Sequence, residues 1–311
     1  LQDLLPLLGA SKPGQAVDAM ELFFKFTLDA STAFLLGHSV HSLRSTHDRF
    51  ADAFAEVQRL QSVISRAGPL NRFVPRKSFY ASIKIMEEFM QPFIEQTLQL
   101  TPEELENKSK SDDGYNFLYS LASFTRDRTV LRDQLAAVLL AGRDTTACTL
   151  SWMFFEISRK PEIVAKLRSE IEEQIGLDKT PTYANLKNMK YLNHTISETL
   201  RLYPIVPFNV RVALKDTSLP RGGGPDGTQP IGIAGKSSCF PFAIIFADKR
   251  RTAGTPVGYS TLALQRREGI YPPVSEKFPH HLEFSPERWE GWNPKMWTCE
   301  LTNEKHTMNS H

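Results

Sequence analysis

Residues 131–160 read LRDQLAAVLLAGRDTTACTLSWMFFEISRK. The apolar spacing predicts one helix of about 30 residues, roughly 45 Å long at 1.5 Å per residue, enough to span a domain. Its centre opposes helix formation. Gly142 costs about 1 kcal/mol against alanine in a helix interior. Asp144, Thr145 and Thr146 follow it and compete with helix through side-chain hydrogen bonds to backbone. The apolar period nevertheless resumes at Leu150, Met153, Phe154 and Ile157. A helix that continues through a weak centre points to a use for that centre.

The faces indicate what the use is. Ala137, Ala141, Thr145 and Thr149 lie four apart and form one stripe, with Cys148 beside it. Every member is small, so a broad partner can approach the helix backbone. Asp144 adds a carboxylate and Thr145 a hydroxyl, a pair suited to proton delivery. The competing reading is close helix–helix packing, with Asp144 capping a kink. Spacing alone leaves both open.

Bulk properties narrow the class. The chain has 311 residues, enough for one large or two ordinary domains, and is 41% hydrophobic, which suits a globular core. A formal net charge of +2 gives no basis for nucleic-acid binding. Cys148, Cys239 and Cys299 are far apart and show no metal-ligand spacing and no disulfide framework. The apolar run at 135–142 is far short of the ~20 residues a membrane span needs. The first residue is not Met and no signal-peptide pattern follows, so the chain is expected to begin inside a longer sequence.

Along the chain, an apolar segment at 1–8 ends in a Lys-Pro-Gly turn. Helical periodicity covers 17–36, 47–67, 79–100 and 115–124, with Thr101 as an N-cap ahead of Pro102. Pro161 ends the central helix or opens the next, over 162–175. Residues 183–189 read as a turn-rich segment. A second informative helix, YLNHTISETLRLY, covers 191–203 and stops at Pro204. Glu198 and Arg201 sit one turn apart on it and can fix each other if a third partner satisfies the remaining donors. An ordinary surface pair, worth ~0.5 kcal/mol or less, is the competing reading. After Pro204, Val206, Phe208, Val210 and Val212 alternate as in a strand, and 219–227 (LPRGGGPDG) reads as a glycine-rich turn. That turn lacks the Gly-Lys-Ser/Thr end of a phosphate loop. The expected fold is mostly α with a small β region.

Three motifs then carry a resemblance. Residues 141–146 (AGRDTT), 198–201 (ETLR) and 284–289 (FSPERW) resemble, in order, the oxygen-side helix, the Glu-x-x-Arg helix and the Pro-Glu-Arg-Phe segment of cytochrome P-450 monooxygenases. Trp289 stands in the Phe position. Residues 206–211 (VPFNVR) and 222–227 (GGGPDG) are similar to fungal members that hydroxylate n-alkanes and fatty acids. The resemblance runs from near residue 15 to about 235, then in pieces to 290. It implies one partial, incomplete P-450 domain over 1–311.

The resemblance implies roles as well. Asp144 and Thr145 would deliver protons during dioxygen activation. Ala141 and Gly142 would lie against haem, and Arg211 would reach a haem propionate. Glu198, Arg201 and Arg288 would form a buried structural triad. Val138, Leu140, Ile205, Val206 and Phe208 would line an apolar channel for a lipid-like substrate. Electrons would come from an NADPH-dependent reductase, and an intact member would sit at the endoplasmic reticulum membrane.

Departures from the pattern are equally specific. The family's iron ligand is a cysteine in a Phe-x-x-Gly-x-Arg-x-Cys-x-Gly loop, and no such loop occurs in the sequence. Cys299, within Met-Trp-Thr-Cys-Glu-Leu-Thr, is not assigned as that ligand, and no residue is assigned to metal. Residues 235–253 interrupt an expected strand pair ending at 257–260. That insert and the tail at 292–311 are read as translated intron or a shifted frame, which sequencing of the transcript tests. Two functions follow: a haem monooxygenase, or an inactive fragment or mis-spliced product without haem-thiolate ligation. The second predicts aggregation on expression. A helical interaction module has no supporting feature, since no exposed heptad seam is evident.

Overall fold

The computed structural model describes residues 2–9, 16–44, 49–110, 116–176, 179–235, 256–275, 278–290 and 292. The described residues are mostly helical, with a small β region. They form two compact units, divided between Phe155 and Glu156.

The first unit holds α1 (Leu4–Gly9), α2 (Ala19–Leu36), α3 (Arg49–Arg66), α4 (Lys77–Gln99), α5 (Pro102–Lys110), α6 (Phe117–Phe124) and nearly all of α7 (Arg128–Ile157). A 3-10 stretch, Gly68–Phe73, joins α3 to α4. Side chains set the helix starts. Asp18 accepts from the Glu21 amide at 3.0 Å, and Asn116 accepts from the Tyr119 amide at 2.8 Å. Thr101 and Glu104 form a reciprocal pair: the Thr101 amide donates to the Glu104 carboxylate at 2.8 Å, and the Glu104 amide to Thr101 Oγ1 at 3.2 Å.

The long helix starts three residues before the expected position and runs unbroken through Gly142. Its competing hydroxyls are satisfied without leaving the helix. Thr145, Thr149 and Ser151 each donate to the carbonyl four residues back, at 2.6, 2.8 and 2.8 Å. Leu131, Leu135, Leu139, Arg143 and Ala147 form its buried face. The three leucines join Leu28, Leu35, Phe50, Phe54, Met90 and Leu118 in the main core. Gly142 faces α2: a Cβ there would lie 3.0 Å from Ser31 Oγ. The weak centre is therefore partly a helix-packing device.

The second unit holds α8 (Pro161–Gln174), α9 (Tyr183–Asn188), α10 (Lys190–Leu202), β1 (Phe208–Val212), β2 (Thr217–Gly223), β3 (Gln229–Ile233), β4 (Pro256–Ser260) and α11 (Thr261–Gln265). Pro161 occupies the first turn of α8, where its missing N–H costs nothing. The segment expected to be turn-rich at 183–189 is instead helix α9, opened by a Thr182–Asn185 capping box. The glycine-rich stretch at 219–227 is not all turn. Its first half belongs to β2, and Gly224 and Gly227 turn the chain at φ of +76° and +72° into β3. β1 pairs antiparallel with β4, with Phe208 opposite Ser260 and Val212 opposite Pro256. β2 pairs antiparallel with β3. Ile163, Leu167, Leu202 and Phe284 form the apolar core of this unit. Apart from Gly235 and Trp292, the segments 235–253 and 292–311 lie outside the described residues, and so do Cys239 and Cys299.

Candidate functional site

On α7 the stripe of small residues is open. Ala137, Ala141 and Thr145 are exposed, and Cys148 and Thr149 are half-buried. Three exposed small side chains on successive turns leave a flat strip of helix surface. Thr145 turns its hydroxyl onto the Ala141 carbonyl. Asp144 points elsewhere. Its Oδ2 accepts from Gln58 Nε2 on α3, and its Oδ1 accepts from Arg143 Nη1 at 3.3 Å. The structure therefore places Asp144 and Thr145 side by side in sequence but does not join them by a hydrogen bond.

Arg143 is 9% exposed. Its guanidinium lies 5.2 Å from the Phe24 ring centroid and 5.1 Å from that of Phe54, and Nη1 donates to Gln58 Oε1 at 3.0 Å. Burial pushes its pKa down, against the pull of the Asp144 charge. The Cys148 thiol is pushed up, by burial first and by the Asp144 charge second. The apolar residues proposed for a channel divide by face. Val138 packs on the main core and Leu140 is exposed; between them, Leu139 is core.

In the second unit the structure brings Glu198, Arg201 and Arg288 together. The three are 0%, 3% and 0% exposed, which excludes a surface pair. Arg201 grips Glu198 with both forks, Nε to Oε2 at 2.7 Å and Nη2 to Oε1 at 2.9 Å. Arg288 Nε donates to Glu198 Oε1 at 3.3 Å. The Ser285 amide reaches Oε1 at 3.0 Å, and Trp289 Nε1 reaches Oε2 at 3.1 Å. One carboxylate thus takes five donors.

Two guanidinium groups against one carboxylate leave an excess positive charge, and backbone carbonyls offset it. Arg288 donates to Pro279 O at 2.9 Å and His280 O at 2.8 Å, and Arg201 to His281 O at 2.6 Å and Glu283 O at 3.1 Å. Ring faces add to this: Arg201 lies 5.3 Å from the Tyr271 centroid, and Arg288 lies 4.9 Å from that of Phe278. Burial opposes the charge on Arg201, yet the Glu198 contact raises its pKa. Burial lowers that of Arg288. The carbonyl-lined loop and the Trp289 donor were not foreseen. Their one sequence signal was Trp289 in a position where the resembled motif has Phe, which has no N–H to give.

Arg211 lies on β1, with Nη1 donating to Asn209 Oδ1 at 2.8 Å and Val210 O at 3.1 Å. Ile205 is half-buried, and Val206 and Phe208 are exposed.

Comparison with known proteins gives the family. A cytochrome P450 monooxygenase named pvhE, from Talaromyces variabilis, is 48% identical over 281 residues, covering 90% of this chain and 49% of the relative. Cytochrome P450 52A1 of Candida tropicalis is 42% identical over 298 residues, covering 90% of this chain and 51% of the relative. The crystal structure of the cytochrome P450DA heme domain shares the fold, with a TM-score of 0.65 at 18% identity, covering 93% of this chain and 55% of that one. The chain thus spans about half the length of the curated relatives it matches. A sequence profile described as Cytochrome P450 matches residues 3–229, and with that match this chain belongs to the cytochrome P450 family.

Proposed function

We propose that the protein is a haem monooxygenase that hydroxylates a fatty acid or n-alkane, and that both compact units belong to one P450 domain over 1–311. The observation that carries this reading is the open small-residue stripe ending at Asp144–Thr145. The reaction is R–H + O2 + 2 e− + 2 H+ → R–OH + H2O, with the electrons drawn from an NADPH-dependent reductase.

Haem is the cofactor of the family, and it would supply the site of dioxygen reduction. Each unit, taken by itself, offers features that suit it. Ala137, Ala141 and Thr145 offer a flat, exposed strip on α7 that a planar ring can cover. Arg211 keeps donors beyond those used by Asn209 and Val210, which suits a propionate. The described residues do not supply the iron's thiolate. Cys148, the one free cysteine among them, is half-buried on α7 and lies outside any Phe-x-x-Gly-x-Arg-x-Cys-x-Gly segment. No group of three or more His, Cys, Asp or Glu among them could hold a metal.

The chain's own residues would act as follows. Asp144 would relay a proton through its carboxylate, and Thr145 Oγ1 would pass it toward the stripe. Gly142 brings α7 close to α2 and fixes the strip's height. Glu198, Arg201 and Arg288 hold α10 and the Pro286–Trp289 turn as one block. In the second unit, exposed Val206 and Phe208 with half-buried Ile205 would contact the lipid chain. An intact enzyme would work at the endoplasmic reticulum membrane; no helix among the described residues is long and apolar enough to cross one.

The competing reading, an inactive remnant, draws on the lack of a Phe-x-x-Gly-x-Arg-x-Cys-x-Gly segment in the sequence. Similarity to a monooxygenase over nine tenths of the chain favours the enzyme. Assay with a reductase, NADPH and a long-chain fatty acid tests it. Hydroxylated product is expected, and D144N should lower kcat by about 10²-fold, the usual loss for a proton-delivering group. Haem-loaded protein that forms no hydroxylated lipid would overturn the proposal.

A further inference from the structure

Gln58 lies outside every motif that marks the family, on a different helix from the proton-delivering pair. It nevertheless closes a three-membered ring of side chains. Its Nε2 donates to Asp144 Oδ2, Arg143 Nη1 donates to its Oε1 at 3.0 Å, and the same Nη1 donates to Asp144 Oδ1 at 3.3 Å. Both oxygens of the Asp144 carboxylate are therefore engaged on the side facing α3. Thr145 is engaged separately, by the Ala141 carbonyl at 2.6 Å.

We infer that Gln58 is a positioning residue that latches the Asp144 carboxylate away from Thr145, so that proton delivery requires the Gln58–Asp144 bond to open. This rests on the proposed monooxygenase function for its consequence in turnover, but not for the linkage itself. The ring is well placed to act as a latch rather than as packing alone. Arg143 is wedged between the Phe24 and Phe54 rings and cannot follow a moving carboxylate. Gln58 and Asp144 are both half-buried, so either side chain has room to change rotamer. Once Gln58 lets go, one 3.3 Å contact to Arg143 remains to hold Asp144. Rotation of its side chain then brings the carboxylate toward its neighbour Thr145.

Two measurements test the latch. The first needs no haem: a double-mutant cycle of urea unfolding with Gln58→Leu and Asp144→Leu. Hydrogen bonds to charged groups predict that Q58L lowers the folding equilibrium constant by about tenfold more with Asp144 present than in the D144L background. Additive effects would overturn the inference. The second uses the haem-loaded protein. Q58L should raise kcat severalfold with KM unchanged and reduce the solvent deuterium isotope effect on kcat. A kcat that falls as far as in D144N would show that Gln58 is needed for delivery and would overturn the latch. Coupled stability in a protein that fails to hydroxylate lipid would contradict the proposed function, while the linkage would stand on the cycle.

Discussion

At the residue scale, Glu198 and Glu287 show two ways for a carboxylate to be useful in a fold. Glu198 is fully buried and its five donors leave it no freedom. Replacing it with alanine leaves two buried guanidinium groups with carbonyls alone. E198A should cost about 3–5 kcal/mol of stability, read as a shift in the urea midpoint. A change under about 1 kcal/mol would mean that the carbonyl loop suffices. Trp289→Phe removes one donor and keeps the ring, so about 1–3 kcal/mol is expected in the same assay.

Glu287 is more exposed and titrates. Burial raises its pKa, but hydrogen bonds from Lys166, Tyr191 and Ser285 outweigh burial and bring it from 4.5 down to about 2. The folded-state value lies below the unfolded one, so Glu287 contributes stability above about pH 4.5 and loses it as pH falls toward 2. Urea midpoints between pH 5 and 2.5 should therefore fall less steeply in E287Q than in the parent. Parallel curves would show that the Lys166 contact does not bias the carboxyl.

At the scale of elements, α7 explains why both readings of its centre had to stay open. Gly142 packs on Ser31, which is the helix-packing reading, while Ala137, Ala141 and Thr145 stay exposed, which suits a broad partner. One face of the helix is packed and another is open, and a residue spacing cannot show which face meets what. The long helices were legible because their apolar period persists over many turns. α9 was missed because six residues hold too few turns to show a period, and the capping box at Thr182–Asn185 was the only signal. β2 was read as turn because Gly222, Gly223 and Gly224 mask a pairing that partner strand β3 supplies. One prediction belongs here. G142A should stabilise the chain by less than the ~1 kcal/mol that alanine gains over glycine in a helix, because its Cβ crowds Ser31 Oγ at 3.0 Å. S31A in the same chain should release the full gain, because the Ser31 Cβ then stands at an ordinary 3.8 Å. Equal gains with and without the Ser31 hydroxyl would place the value of the glycine elsewhere.

At the scale of the whole molecule, the legible part was the motif order, and the illegible part was the support behind it. Asp144, Glu198 and Arg288 could be named from sequence, because their motifs are local. Gln58 lies 86 positions from Asp144, and nothing in a single sequence ties the two. The carbonyls of 279–283 are equally silent, since any residue type can present one. What the chain does as an enzyme then turns on whether haem is held by a thiolate. The most direct test is a carbon-monoxide difference spectrum of the purified, reduced protein. The proposed function predicts a thiolate-type Soret band, with the thiolate supplied from outside the described residues. No haem, or a band without thiolate character, would contradict it and leave a P450 scaffold without the chemistry.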